Sequence, residues 1–368
     1  MVDEWVNRIY ETTTGNLVAT VPCSSSNWMT RMTGQGAGTF TIQVGDWGVS
    51  RANLEEWTTP NEYTITQEWA PTDHVVFAGV IQEDDWDDTS DTVTVSAVEL
   101  RGAYFNNRML WPLSTYNTTG GGGTATALEV VDRSRAAAVR AVLETAQFGG
   151  AAPAVFPLDL PADAAGDFSA TWLYNERLFV EDHITQIEED GCETYLRAYR
   201  SSGNLRYEVK VQDGRLKYGT VTSFPIRGAS SPVRHLRVTR DGINQMTGVG
   251  VFGEGGKEAL MQWGPDPIPA TFRIPLRDVW MNRSDLDTES RLRSVGNQQY
   301  AVLQYPSYAW RFDLHIYPDG PEVAAVGREL WMNVGTHPRL TNGDHKKRVI
   351  ALKGDMGFFV TPEVDDAY

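Results

Sequence analysis

The clearest periodic signal in the chain is the run Thr92-Val93-Thr94-Val95-Ser96-Ala97, in which polar and apolar residues alternate. A period of two places one face of a strand in a core and the other in water. Before it, His74 to Ile81 is rich in β-branched and aromatic residues and is broken by Gly79. A glycine inside a strand marks a bulge or the close approach of another backbone. Gln82 to Asp91 is acidic throughout and reads as a loop, so the two runs form a hairpin with a charged tip. Glu99 to Trp111 follows and closes on an aromatic anchor. Residues 63–111 are therefore the stretch around which the remainder is organised.

Similar signals recur on either side. Trp5 to Val21 reads as two short strands about a Thr14-Gly15-Asn16 turn. Thr39 to Val44 alternates again, just after the glycine cluster Gly34 to Gly38. That cluster has the look of a dinucleotide loop, but it precedes a strand instead of opening a helix. It cannot set a phosphate on a helix N-terminus and reads as a turn. Pro112 to Thr124, with glycines at 120–123, is the clearest linker. Thr126 and Glu129 form a capping box for a helix with an apolar stripe of Leu128, Val131, Val139, Val142, Leu143 and Ala146. Gly149, Gly150 and Pro153 end it. Ala151 to Gly166 reads as irregular, and Phe179 to Glu188 as helical.

Strands are then expected over Tyr195–Arg200, Tyr207–Gln212, Leu216–Thr222 and Pro232–Arg240, with hairpin turns at Ser202-Gly203-Asn204 and Asp213-Gly214. The glycine-rich tract Gly248 to Gly256 ends this block. Ser284 to Tyr305 predicts a second helix, capped at Ser284 or Asp285, with Leu292, Val295, Ala301 and Leu303 on its apolar side. Ala309 to Val360 returns to strands. The class expected is α+β, rich in antiparallel β-structure.

Length and composition refine this picture. The 368 residues, 41% hydrophobic and 11% aromatic, suffice for two or three domains with real cores. No run of about eighteen apolar residues occurs, so no membrane span is expected. The N-terminus lacks a basic region followed by an apolar one, so no secretory signal is expected and synthesis in the cytoplasm is. The net charge of −16 argues against a surface that neutralises phosphates. Residues 1–119 hold 16 Asp or Glu against 5 Arg and no Lys, so the negative charge is concentrated there.

Candidate chemistry is sparse. Cys23 and Cys192 have neither a disulfide framework nor a zinc spacing. The histidines at 74, 183, 235, 315, 337 and 345 include no i, i+4 pair. Glu83, Asp84, Asp85, Asp87, Asp88 and Asp91 could ligate calcium, but the usual turn glycine is missing and Trp86 sits among them; a solvated tip is the alternative. Glu181-Asp182 and Glu188-Glu189-Asp190 are among the acid pairs to weigh for glycoside hydrolysis, and they fall at helix ends or turns where acids ordinarily face water. The 12 tryptophans are spread along the chain as core anchors of several β-domains would be. No catalytic, cofactor-binding or metal-binding residues are expected.

The order Trp69, Ala78-Gly79-Val80-Ile81, Val93 to Leu100 and Arg108-Met109-Leu110 resembles the first β-domain of tail-tip hub proteins of long-tailed bacteriophages, above all minor tail proteins of actinobacterial siphophages. Trp28, Arg31, Gly36, Gly38, Phe40 and Ile42 occupy a further pattern of that family, with Thr33 where members often carry Asn. Gly335 to Gly343, Lys347 to Leu352 and Gly354-Asp355 resemble its C-terminal segment. The resemblance spans nearly the whole chain, more loosely over 145–170 and 245–285.

It implies barrel-like hub domains joined by a helix-bearing connector: residues 1–118, a linker and connector at 119–190, and 191–368 with its helix near 284–305. It also implies a non-enzymatic virion protein at the tail tip, assembled in the host cytoplasm as a ring, a homotrimer. Its expected partners are the distal tail protein, the tape-measure protein and other minor tail or fibre proteins, with no cofactor and no specific nucleic-acid binding. The acids of 83–91 would then either face the ring lumen or bind calcium. A carbohydrate-binding or glycan-cleaving tail protein is the alternative.

Overall fold

The computed structural model describes residues 4–45, 49–111, 127–148, 155–174, 179–228, 230–253, 260–263, 275–283 and 289–367. The chain forms two compact units, one of residues 1–235 with 312–368 and the other of residues 236–311. In chain order the first unit opens with strands β1 (Trp5–Glu11), β2 (Leu17–Val21), β3 (Cys23–Arg31) and β4 (Ala37–Gln43). The short helix α1 (Arg51–Trp57) follows, then β5 (Tyr63–Trp69), β6 (His74–Asp87) and β7 (Thr92–Glu99).

These strands close on themselves. The hydrogen-bonded path runs β3-β4-β7-β6-β5-β1-β2, and β2 continues into β3 with only Pro22 between them. The joined β2/β3 strand therefore seals a barrel, which leaves few exposed edges. The alternation read from the sequence is the pleat of this barrel. Val93, Val95 and Ala97 of β7, Phe40 and Ile42 of β4, and Ile65 and Trp69 of β5 are all buried. Gly79 marks a close approach: a Cβ there would lie 2.6 Å from the Phe77 ring and 2.9 Å from Ala97 Cβ.

Two expectations are corrected here. Gln82 to Asp91 is not a loop, because β6 continues to Asp87 and pairs with β7 as far as Asp87↔Thr92, leaving only the residues between as the turn. Backbone pairing is indifferent to side-chain polarity where both faces meet water. The segment read as the start of a capped helix is instead strand β8 (Ala127–Arg133), paired with β10 (Phe168–Leu173). Helix α2 (Arg135–Phe148) begins after Ser134, whose Oγ accepts the Ala137 N–H at 3.1 Å. Thr126, and the glycine linker with it, lie outside the described residues.

Beyond a π-helical turn at Arg101–Phe105, the connector consists of β8, α2, the short β9 (Leu158–Asp159), β10 and α3 (Val180–Glu189). The apolar stripes of both helices, Val139, Val142 and Leu143 with Val180, Ile184 and Ile187, share one core with Trp111, Trp172 and Val209. The hairpin of β11 (Cys192–Ser201) and β12 (Asn204–Asp213) follows, in full register. Leu205 and Tyr207 of β12 pack with Tyr10, Val75 and Val80 on the outside of the barrel.

The strand expected over 216–222 is not formed: residues 216–221 are irregular and β13 (Thr222–Pro225) begins only where that expectation ended. The chain leaves the first unit along β14 (Val233–Asp241). In the second unit, β15 (Gly248–Phe252) lies between β16 (Leu260–Trp263) and β17 (Asp278–Asn282), so the first five residues of the tract read as a glycine-rich terminator form a central strand. Helix α4 (Glu289–Leu303) packs Leu292, Val295 and Leu303 against Val249 and Val251. The chain returns along β18 (Ser307–His315) and ends with β19 (Glu329–Val334), β20 (Gly343–Gly354) and β21 (Phe359–Asp366).

Strand β20 ties the first unit together. Its first half pairs with β19 and its last residues, Ala351 to Gly354, pair with β3. The change of partner falls at a register shift between Val349 and Ala351. These units are drawn differently from the expected division at 118 and 190, because β20 and β21 extend the sheet that β3 begins.

Candidate functional site

Two buried arginines hold the turn between α3 and β11. Arg101, 5% exposed, sits on the π-helical turn. Its Nε donates to both Glu181 oxygens at 2.8 and 2.9 Å, Nη1 to Glu188 at 3.0 Å and to the Thr194 carbonyl at 3.1 Å, and Nη2 to Glu188 at 2.8 Å. Glu181 and Glu188 are two helical turns apart and so share one face of α3. Burial works against the guanidinium charge, but the hydrogen bonds it donates to Glu188 and Glu181 outweigh it and hold Arg101 above its ordinary range. Burial pushes Glu181 up while Arg101 pulls it back.

Arg348 of β20, 2% exposed, approaches the same turn from the other side. It donates to Asp365 at 2.7 and 3.1 Å, to Glu193 at 2.9 Å and again through Nη1, and to the Leu216 carbonyl at 3.1 Å. All the N–H groups of both forks are thus engaged. Arg101 was not singled out in the sequence, and Arg348 entered only within the resembling segment Lys347 to Leu352. The available signal was a lone arginine in each of two apolar tracts, 97–105 and 348–352.

Glu99, at the end of β7, accepts the Thr30 hydroxyl at 2.5 Å and the Gly36 N–H at 2.7 Å. Burial pushes its carboxyl up to about 7, against the pull of these donors and of Arg101. His74 is pushed down to about 3 by burial and by the charges of Arg197 and Arg328. An adjoining cavity of about 20 Å³, lined by Thr30, Glu99, Tyr195 and Tyr207 among others, has room for about one water. This is the interior of a framework.

The structure scatters the sequence candidates. Glu181 and Glu188 do not face water as expected at helix ends; they are committed to Arg101, and Asp190 pairs with Arg135 at 2.7 Å. Cys23 is half-buried and Cys192 buried, and burial pushes both thiols up to about 12. His183 is buried beside Trp172, at 5.1 Å between ring centroids, whereas His235 is exposed and meets Asp313 at 2.8 Å. Among the described residues no three His, Cys, Asp or Glu side chains gather as metal ligands. On the β6–β7 tip, Asp91 pairs with Arg51 at 2.8 Å, and the Arg51 guanidinium lies 5.1 Å over the Trp86 ring.

The tryptophans behave as anchors. Trp5, Trp28 and Trp69 are buried and pack together, Trp5 tilted against Trp28 with centroids 6.2 Å apart and edge-to-face against Trp69 at 4.9 Å. Trp5 Nε1 donates to the Gly357 carbonyl at 3.0 Å and Trp28 Nε1 to that of Asp355 at 3.3 Å, which fastens the barrel to the β20–β21 turn. Trp280 of the second unit departs from this behaviour. It is 55% exposed and lies across Gly250, where a Cβ would come within 2.0 Å of the ring.

No protein-family model and no curated protein matches the sequence. Solved structures do match the fold. The tail protein from Neisseria meningitidis MC58 has a TM-score of 0.62 at 12% identity, covering 99% of this chain and 97% of that one. The 43 kDa tail protein of prophage MuSo2 from Shewanella oneidensis gives 0.61 at 10% identity, covering 98% of each chain. Prophage tail protein gp18 from Listeria monocytogenes EGD-e gives 0.50 at 11% identity, with 99% and 95% covered. From one end to the other, the chain has the fold of these tail proteins.

Proposed function

We propose that the chain is a structural protein of a bacteriophage tail, the hub at the tail tip of a siphophage with an actinobacterial host. The observation that carries this reading is the end-to-end likeness of fold to two tail proteins, at TM-scores of 0.62 and 0.61. The residues that carry the sequence resemblance support it, because they build that fold. Trp28 fastens the barrel to the β20–β21 turn, Gly36 donates to Glu99, and Gly38 lies against the Phe40 and Phe77 rings.

In this reading, copies made in the host cytoplasm assemble as a ring, a homotrimer. The ring joins the distal tail protein to fibre or spike proteins and surrounds the path of the tape-measure protein and DNA. It needs no catalysis, and of the acids weighed for glycoside hydrolysis Glu181 and Glu188 are engaged by Arg101. One observation favours a carbohydrate contact as a second role: the exposed Trp280 ring beside Phe252, at 5.1 Å, offers a flat apolar platform.

Antibody against the chain, imaged on virions by negative-stain electron microscopy, tests the proposal. Label confined to the distal end of the tail is expected, together with ring-shaped particles of the purified protein. Label on the capsid or along the tail tube would overturn it.

A further inference from the structure

The first compact unit carries two exposed surfaces of opposite charge. On the β6–β7 hairpin, Glu83, Asp84, Asp85, Asp87 and Asp88 are exposed, and none has an ion-pair partner among the described residues. The ladder beneath them runs unbroken from Glu83↔Ser96 to Asp87↔Thr92, so the charges stand on a paired ribbon. The opposite surface is built from the β13–β14 connection and the segment after β19. Arg227 donates to the Thr336 carbonyl at 3.2 Å, Arg339 donates its backbone N–H to His337 Nδ1 at 3.2 Å, and Arg234 donates to the Ser231 carbonyl at 2.5 Å.

All three arginines are exposed and meet no carboxylate among the described residues. The His337 imidazole is pushed down by burial and then by the charges of Arg227 and Arg339, so both cations are felt at one point. In a chain of net charge −16 such a surface is complementary to an anionic neighbour.

Strand register places the two surfaces at opposite ends of the unit. The hairpin tip lies level with Gln43 of β4, and thus with the start of β3 at Cys23. From there β3 runs to Trp28–Arg31, where β20 takes over and continues in the same direction to Gly343, beside Val334 and the Arg339 segment. One copy cannot bring its own hairpin to its own arginines. Two copies arranged head to tail can, and a heterologous contact of that kind closes into a ring when its rotation allows.

We infer that the Arg227, Arg234 and Arg339 surface receives the acidic β6–β7 hairpin of a second copy of this chain. The inference rests on the ring proposed above and supplies its contact. Electrostatic complementarity of this sort selects the partner and speeds encounter, and salt weakens it.

Charge reversal tests it in the full chain. One variant carries Glu83→Lys, Asp85→Lys and Asp88→Lys, a second carries Arg227→Glu and Arg339→Glu, and a third carries all five. Circular dichroism verifies folding, and sedimentation equilibrium at about 0.05 and about 0.5 M salt gives the dissociation constant. Each single-surface variant should raise that constant at least about tenfold at low salt, and the five-fold variant should recover to within a few-fold of the wild type. Association that survives both reversals, or a five-fold variant weaker than either, overturns the inference and leaves the ring standing. A wild-type chain that stays monomeric at every concentration overturns the ring and this contact together.

Discussion

Replacing Glu99 with Gln should make the protein more stable at pH 8 and leave it nearly unchanged at pH 4. Glu99 has its carboxyl pushed from 4.5 up to about 7 by burial. A carboxyl raised in the folded state keeps its proton where the unfolded chain has lost it. Stability from this group is therefore fully present below pH 4.5 and is lost as pH rises towards 7. The gap corresponds to about 2–3 kcal/mol once partial exposure is allowed for, or about 3–5 °C in melting temperature for a unit of this size. Gln preserves the geometry: its carbonyl can accept the Gly36 N–H while its amide donates to Thr30. His74 opposes the trend, because an imidazole pushed down to about 3 costs stability as pH falls below 6.5. The wild-type profile alone is thus ambiguous, and the quantity to measure is the difference between variant and wild type in urea unfolding across pH 4 to 8. A difference that stays flat over that range would refute the assignment of Glu99 as a protonated, buried carboxyl near neutral pH.

Arg101→Met should cost about 3–5 kcal/mol in urea unfolding, because Glu181 and Glu188 lose their partner, and adding Glu181→Leu and Glu188→Leu should recover most of it. Gly79→Ala should cost about 1–3 kcal/mol through the clash with Phe77 and Ala97, read as a lower unfolding midpoint with unchanged slope. Cys192, buried with its thiol raised to about 12, should fail to react with a disulfide reagent at pH 8 in the native protein and react at once in urea. Rapid native labelling at Cys192 would contradict its place in the connector core.

Local signals in the sequence carried the elements whose partners are near in the chain. The β11–β12 hairpin was readable from Ser202-Gly203-Asn204, where Ser202 and Gly203 both take positive φ, and Thr92 to Ala97 was readable from its pleat. The errors share a cause. Residues 127–133 look helical beside a capping pattern, yet they pair with Phe168–Leu173 across the intervening α2. The tip acids look like loop, yet the β7 backbone holds them in strand. Each depends on a distant backbone partner that leaves no mark in local composition. The arginine junctions were hidden for the same reason, since a buried Arg101 becomes intelligible only once α3 sets Glu181 and Glu188 over it.

Those junctions bear on how a subunit of this fold holds its shape. Arg101, just after the last barrel strand, and Arg348, from the strand shared by both halves of the sheet, converge on the stretch from Glu188 to Thr194. An apolar contact of equal volume could match the stability of a buried ion pair, so stability alone does not explain the choice. A planar fork held by two carboxylates fixes direction as well as distance, whereas apolar surfaces can slide past one another. The hairpin that begins at Cys192 is thereby fixed to the barrel on one side and to β20 and β21 on the other. In the ring proposed above, a subunit presenting one charged surface to a neighbour and the opposite surface to the next would gain from such fixing, because an angular error at one contact repeats around a ring. The acidic hairpin and the arginine surface are both built on strands whose relative position these junctions help set.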